Sequence, residues 1–163
     1  MDYRRYLHNF IRTNQIRSVV DIGCGDWQFS KLIDWRDIDY TGVDVSDVVL
    51  SNTQQFSREG IRFLHADART DPLPPADLLI MKDVMQHWSN DDILTFLPRL
   101  NSFRQALITN GFHPSLKNLL NSDITAGAFR PIDLRISPFN LPGTYIHWLQ
   151  FDEPKWIFYW QRP

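Results

Sequence analysis

The sequence lacks the features that define several classes of protein. Its 163 residues include one cysteine, Cys24, so no disulfide can form within the chain. No stretch approaches the ~20 apolar residues that a membrane-spanning helix needs. The opening residues, MDYRRYLHNF, lack the uninterrupted apolar core of a signal peptide. We therefore expect a cytoplasmic protein with no membrane partner.

The sequence also lacks a large excess of either charge. It has 17 basic and 19 acidic residues, for a formal net charge of −2. This balance provides no general attraction to a polyanion, so a nucleic-acid partner is not expected. No Cys/His cluster has zinc-binding spacing, and we expect no metal. Four arginines near the N-terminus are best explained as the solvated face of a helix: Arg4, Arg5, Arg12 and Arg17.

Short β-branched segments alternate with helical segments up to residue 110. The predicted strands cover residues 18–22, 39–45, 61–65, 77–82 and 105–110. The predicted helices cover residues 2–13, 27–35, 46–58 and about 90–101. Three prolines within residues 71–75 exclude a helix there. Such alternation predicts a mostly parallel sheet with helices on both of its faces.

The sequence changes character after residue 110. Residues 112–143, here called the late segment, are rich in proline, asparagine and serine. Because a connection of this length is usually functional or disordered, we expect it to form a lid over a substrate. Residues 145–151 and 155–162 are predicted strands joined by a short connection, which indicates an antiparallel hairpin. We expect one domain over residues 1–163 with a seven-stranded sheet; the chain can also be one domain of a longer protein.

Two glycines, Gly23 and Gly25, directly follow the first predicted strand. Glycine at such a position lets the backbone approach a ligand that a Cβ would exclude. The N-terminus of a following helix favours an anionic group. A dinucleotide site would carry G-x-G-x-x-G, but the residues after Gly25 are Asp26, Trp27 and Gln28. Instead, an acid precedes the first glycine by two positions.

Acidic residues stand at the ends of three successive predicted strands: Asp21, Asp44 and Asp67. The carboxyl ends of parallel strands meet at one edge of the sheet, where ligands bind in such folds. Each acid alone has an ordinary structural explanation, as a strand-end, helix-preceding or turn residue. Together they indicate a binding site.

These residues resemble the motifs of class I S-adenosylmethionine (SAM)-dependent methyltransferases of the small-molecule type. Residues 21–25 are similar to the start of the D-x-G-x-G-x-G motif, with Trp27 in place of its third glycine. Residues 82–87, Lys-Asp-Val-Met-Gln-His, resemble the D-V-L-x-H segment of that family. The resemblance implies a Rossmann-like α/β fold, SAM as the cofactor and methyl transfer as the activity.

The resemblance also implies roles for individual residues. Asp21 would hold the amino end of the methionine moiety, and the backbone of Gly23 and Gly25 would pack along the cofactor. Asp44 would accept from the ribose hydroxyls, as a carboxylate can. The remaining implied cofactor residues are Trp27 at the cofactor's edge, Val45 against the adenine, Asp67 at its amino group, Ala68 beside its ring, and Lys82.

Methyl transfer from a sulfonium is a direct displacement, so catalysis depends mainly on holding the nucleophile in line. A base is needed only for a nucleophile that must lose a proton early, such as a hydroxyl. His87 is the candidate base, although it can instead pack on Trp88. Asp83 can orient His87, accept from the substrate, or cap the turn.

We expect the acceptor to be a small hydroxylated molecule such as a sugar or glycoconjugate, and the product to be an O-methyl compound. His113 and Arg130 are the candidate acceptor-binding residues, although Arg130 can instead anchor its loop through Asp133. Two other functions fit parts of the pattern. The chain can be a non-catalytic cofactor-binding or partner-binding domain, or a nicotinamide-dependent oxidoreductase.

Overall fold

The structure is a computed structural model that describes residues 3–111, 114–149 and 154–163. Its strands are β1 Ser18–Ile22, β2 Asp39–Asp44, β3 Ile61–His65, β4 Ala76–Lys82, β5 Phe103–Gly111, β6 Thr144–Leu149 and β7 Lys155–Gln161. Its α-helices are α1 Tyr3–Thr13, α2 Asp47–Thr53 and α3 Asn90–Phe96. Short 3₁₀ turns cover residues 30–32, 54–56, 85–87, 97–102 and 114–119.

The described strands form one seven-stranded sheet in the order β3-β2-β1-β4-β5-β7-β6. Strands β1 to β5 are parallel, and β7 runs antiparallel to both β5 and β6. The predicted fold, a mostly parallel sheet with a C-terminal antiparallel hairpin, is therefore confirmed. The carboxyl ends of β1 to β5 lie along one edge, because parallel strands share a direction.

Two apolar cores cover the two faces of the sheet. Successive residues of β4 alternate between them, with Leu78 in one core and Leu79 in the other. Helix α1 buries Tyr3, Leu7 and Ile11 on one face, with the four-residue spacing of an amphipathic helix. Helix α3 packs on the opposite face. Among the described residues, no helix has the length and apolar character needed to cross a membrane.

The helix predicted over residues 27–35 is wrong, since this stretch forms only a 3₁₀ turn at Ser30–Leu32. Gly25 and Trp27 both have left-handed backbones, with φ of +56° and +60°, which interrupt a right-handed helix. Helix α3 is also shorter than predicted and ends at Phe96. Pro98 lacks the N–H that would bond the carbonyl of Leu94, and the chain continues as a 3₁₀ turn.

Candidate functional site

A cavity of about 300 Å³ lies at the carboxyl edge of the sheet. Its walls come from the ends of β1, β2 and β3, from the turn after β4, and from residues 126–127 of the late segment. It brings together six residues predicted from the sequence: Gly23, Asp44, Val45, Asp67, Ala68 and His87. The strand-end acids Asp44 and Asp67 therefore meet at one site, as the order of strands required.

Asp44 is held in a fixed orientation by backbone donors. Its Oδ2 accepts from the Gly25 N–H at 3.1 Å, and its Oδ1 accepts from the Ser46 N–H at 3.0 Å. Ser46 in turn caps α2 by accepting from the Val49 N–H. A carboxylate oxygen with one donor still has capacity for another. Asp44 can therefore accept two hydroxyl protons from a ligand in the cavity.

The two glycines serve different purposes in the turn after β1. Gly23 has φ of +71°, and a Cβ there would lie 2.4 Å from Cγ2 of Val84, so both conformation and packing require glycine. A Cβ on Gly25 would meet no atom within 4 Å among the described residues. Glycine at position 25 thus satisfies a left-handed backbone while leaving the space beside it open.

Asp21 lies buried behind this turn. Its Oδ2 accepts from Ser30 Oγ at 2.9 Å and from the Tyr40 hydroxyl at 2.6 Å. Burial raises the pKa of Asp21 to about 6, although both hydrogen bonds act to lower it. No described residue donates to its Oδ1.

Arg69 lines the cavity and was not anticipated from the sequence. Its guanidinium holds both carboxylate oxygens of Asp67, with a shortest distance of 2.7 Å, and reaches Asp92 Oδ1 at 2.9 Å. These hydrogen bonds lower the pKa of Asp67. Asp67 therefore has a partner within the chain, and a ligand must share its carboxylate with Arg69. The Asp67-x-Arg69 spacing is the only signal for this pair in the sequence.

His87 is positioned by two neighbours, one of which, Gln86, the sequence did not suggest. His87 Nδ1 lies 2.9 Å from the Ala128 carbonyl oxygen, which can only accept. Gln86 Oε1 accepts from the Gly111 N–H at 2.6 Å, so its amide nitrogen faces His87 Nε2 at 3.3 Å. An amide nitrogen only donates. The contacts thus favour the tautomer with its proton on Nδ1 and its lone pair on Nε2.

The family model of the O-methyltransferase domain matches residues 3–112. The chain belongs to this family. An uncharacterized methyltransferase of Mycobacterium bovis is 34% identical over 111 residues, a match that covers 61% of this chain and 53% of that protein. The chain thus spans about half the length of the curated relatives it matches.

Solved methyltransferase structures share the fold of this O-methyltransferase domain. The magnesium protoporphyrin IX methyltransferase of Synechocystis PCC 6803, solved with bound SAH, has a TM-score of 0.75 at 15% identity and covers 99% of this chain and 82% of its own. Human N-acetylserotonin methyltransferase in complex with SAM has a TM-score of 0.68 at 16% identity, covering 98% and 55%. The resemblance to class I SAM-dependent methyltransferases is confirmed.

The indole of Trp27 does not line the cavity of the methyltransferase domain, so the structure does not support its predicted place beside the cofactor. The residue is 1% exposed and packs in the core on the α1 face of the sheet. Its ring lies 5.3 Å from the rings of Phe56 and Phe63. The left-handed backbone at Trp27 turns this side chain inward, where a third glycine would have left no side chain.

Lys82 and Asp83 face Phe29 and Lys155 rather than the cavity. The Asp83 carboxylate pairs with Lys82 and, at 2.6 Å, with Lys155. The Lys82 ammonium also lies 5.7 Å from the ring centre of Phe29. Burial raises the pKa of Asp83, but the two lysines outweigh it and the net shift is downward. The structure therefore does not support an orientation of His87 by Asp83.

Arg130 lines neither of the described cavities that could receive an acceptor, so the structure does not support its predicted role in binding the acceptor. It is 0% exposed. Its guanidinium donates to the carbonyls of Ser122 at 2.9 Å and Met85 at 3.2 Å, and to Asn90 Oδ1 at 2.8 Å. Arg130 anchors the late segment, though not through Asp133, which pairs with Arg135. His113, the other predicted acceptor residue, lies outside the described residues.

Proposed function

We propose that this domain binds SAM in the cavity at the ends of β1, β2 and β3 and O-methylates a small hydroxylated acceptor. The meeting of Asp44 and Asp67 with apolar residues around one cavity carries this proposal. Adenosine presents a pair of hydroxyls, an amino group and a flat apolar ring. The Asp44 carboxylate can accept from the hydroxyls, and the Asp67 carboxylate can accept from the amino group. Val45 and Ala68 offer apolar contact to the ring.

The chemistry of the donor set fits the cofactor at three points. Asp44 keeps accepting capacity on both oxygens. The open space beside Gly25 allows a ligand to approach the backbone. Asp21 keeps Oδ1, to which no described residue donates a hydrogen bond, as the proposed anionic partner for an ammonium group. Because the Asp67 carboxylate already pairs with Arg69, we expect Asp44 to contribute more to the free energy of cofactor binding.

When bound, SAM supplies an electrophilic methyl group whose leaving group needs no acid. The chain's own residues then position the acceptor and remove its proton. His87 carries a lone pair on Nε2, because its Nδ1–H donates to the Ala128 carbonyl. The side-chain amide of Gln86 contacts this nitrogen, and His87 lines the cavity. We propose that the acceptor hydroxyl displaces the Gln86 amide from His87 Nε2 and passes its proton to this nitrogen as its oxygen takes the methyl group.

The proposed acceptor class is a sugar or glycoconjugate. Three observations support a small hydroxylated molecule over a macromolecule. The chain belongs to an O-methyltransferase domain family. Its net charge of −2 offers no general attraction to nucleic acid. His87, a residue suited to hydroxyl activation, lines the proposed cofactor cavity.

A transfer assay with methyl-labelled SAM tests this proposal. The acceptor panel should contain monosaccharides, glycoconjugates, phenols, protein mixtures and nucleic acids. We expect the label on a small hydroxylated acceptor, and a rate about 100-fold lower for His87→Ala. His8→Ala, on α1, is the matched control and should leave the rate unchanged. Label found only on protein or nucleic acid would contradict the proposed acceptor. Cofactor binding without transfer to any acceptor would favour the non-catalytic alternative.

A further inference from the structure

A second cavity, of about 450 Å³, lies on the α3 side of the sheet. It is bounded by the carboxyl end of β5, the starts of β6 and β7, and the late segment. Its apolar walls are Leu120, Ile132, Tyr145 and Trp156. No described residue lines both cavities. Its volume falls within the range of about 300–1,000 Å³ typical of small-molecule sites.

Asn110 provides an unused hydrogen-bond donor in this second cavity. The residue is 6% exposed, and its Oδ1 accepts from the Gln86 N–H at 3.2 Å. No described residue accepts from its Nδ2. Buried polar groups are nearly always hydrogen-bonded, so a donor left in a cavity wall suggests an oxygen on a ligand.

The two charged residues described in the wall of the second cavity pair with each other. Arg135 donates to Asp133 at 3.0 and 2.8 Å, which leaves the pair without net charge. Arg135 also lies 4.7 Å from the ring centre of Tyr145. Among the described residues that line it, the cavity therefore combines one free amide donor with a pair of charges that cancel, and this combination favours an uncharged ligand.

The aromatic walls indicate the shape of that ligand. The rings of Tyr145 and Trp156 lie 5.6 Å apart and are inclined at 65°. Together with Leu120 and Ile132, they present flat apolar surface on more than one side. A six-membered ring with an apolar face and an oxygen on its edge fits such a site, whether it is a pyranose or a phenol.

One buried residue links the second cavity to the proposed base. The backbone N–H of Gln86 bonds Asn110 in the second cavity, and its side-chain amide faces His87 in the first. We propose that the second cavity binds an uncharged hydroxylated ring of the acceptor, an inference that rests on the proposed function. A ring oxygen or hydroxyl of this ligand would accept a hydrogen bond from Asn110 Nδ2. The contacts through Gln86 set the position of that ring relative to His87.

Ligand-observed NMR on the purified protein without cofactor tests this site, with methyl glucoside and phenol as probes. We expect one of the two probes to bind. Leu120→Trp, which fills the cavity, should weaken that probe at least tenfold. Asn110→Asp, which keeps the Oδ1 acceptor but removes the Nδ2 donor, should also weaken it. Thermal unfolding of each variant establishes that it is folded.

The Asp44→Ala variant distinguishes a failure of this proposal from a failure of the proposed function. It alters the first cavity alone and should leave probe binding unchanged while cofactor binding falls. Binding of methyl glucoside identifies a sugar ring, and binding of phenol identifies an aromatic one. If neither probe binds the wild type, or if binding survives in folded Leu120→Trp, the second cavity is not an acceptor site. A failure of SAM to bind would instead contradict the proposed function and leave the probe result standing.

Discussion

The strands and their connections up to residue 111 differ from residues 117–143 in the partners of their backbone hydrogen bonds. In the first region, parallel strands bond each other through regular ladders from β1 to β5. In the second, the described residues form neither α-helix nor strand, and side chains carry much of the bonding. The Arg130 guanidinium donates hydrogen bonds to three backbone carbonyls and one side-chain oxygen.

Asn121 is the second such side chain in residues 117–143. Its Nδ2 donates to the carbonyls of Asp133 and Ser137, both at 2.9 Å, and its Oδ1 accepts from the Asp133 N–H at 2.9 Å. A strand is stabilised by many equivalent backbone hydrogen bonds. Residues 117–143 depend instead on the side chains of two buried residues, Arg130 and Asn121. Single substitutions should therefore be far more disruptive in the late segment than its irregular backbone suggests.

The largest expected effect is that of Arg130→Leu. Losing the guanidinium leaves several buried oxygens without a donor, and we expect the free energy of unfolding to fall by about 4 kcal/mol. Urea unfolding measures this change. Arg135→Leu is the matched control, because that side chain is 49% exposed and its surface ion pair should contribute under ~1 kcal/mol. Similar losses for both variants would show that stability is not concentrated in the buried arginine.

Asp21→Asn tests a buried group of the regular region. The pKa of Asp21 is raised from 3.8 to about 6 in the folded state. As pH rises through this interval, the unfolded chain releases the proton first, so the wild type loses stability. The asparagine variant lacks this loss, and its free energy of unfolding relative to that of the wild type should rise by about 2 kcal/mol between pH 4 and 7.

Urea unfolding at the two pH values gives this difference directly. Asp37→Asn is the control, since Asp37 is exposed and has a left-handed backbone that asparagine also tolerates. It should show no such pH-dependent difference. A constant difference between Asp21→Asn and wild type across this interval would show that Asp21 does not titrate as a buried acid.

Asn121→Ala should cost about 2 kcal/mol, because three backbone groups lose their partner and the left-handed conformation suits asparagine better than alanine. The exposed Asn101→Ala provides the baseline. Amide hydrogen exchange would show which region of the fold loses stability. The late segment should exchange faster in Asn121→Ala while β1 to β5 keep their protection. Uniform loss of protection would show that the two regions are not held separately.

Features that depend on strand order could be predicted from the sequence, whereas features that depend on long-range partners could not. Asp44 and Gly23 were correctly placed at one sheet edge, because the carboxyl ends of parallel strands must meet there. The inward turn of Trp27 and the burial of Arg130 depend on contacts with residues distant in the chain. No local periodicity marks such contacts, and so neither the turn nor the burial could be predicted from the sequence.

Binding of SAM in the cavity at the ends of β1, β2 and β3 is central to the proposed function. Calorimetric titration with SAM and S-adenosylhomocysteine tests it most directly, using the wild type, Asp44→Ala and the nearby exposed control Asp47→Ala. We predict binding to the wild type and the control, and binding at least tenfold weaker in Asp44→Ala, or about 1.4 kcal/mol. No binding of either compound to a folded wild type would contradict this assignment of the cavity.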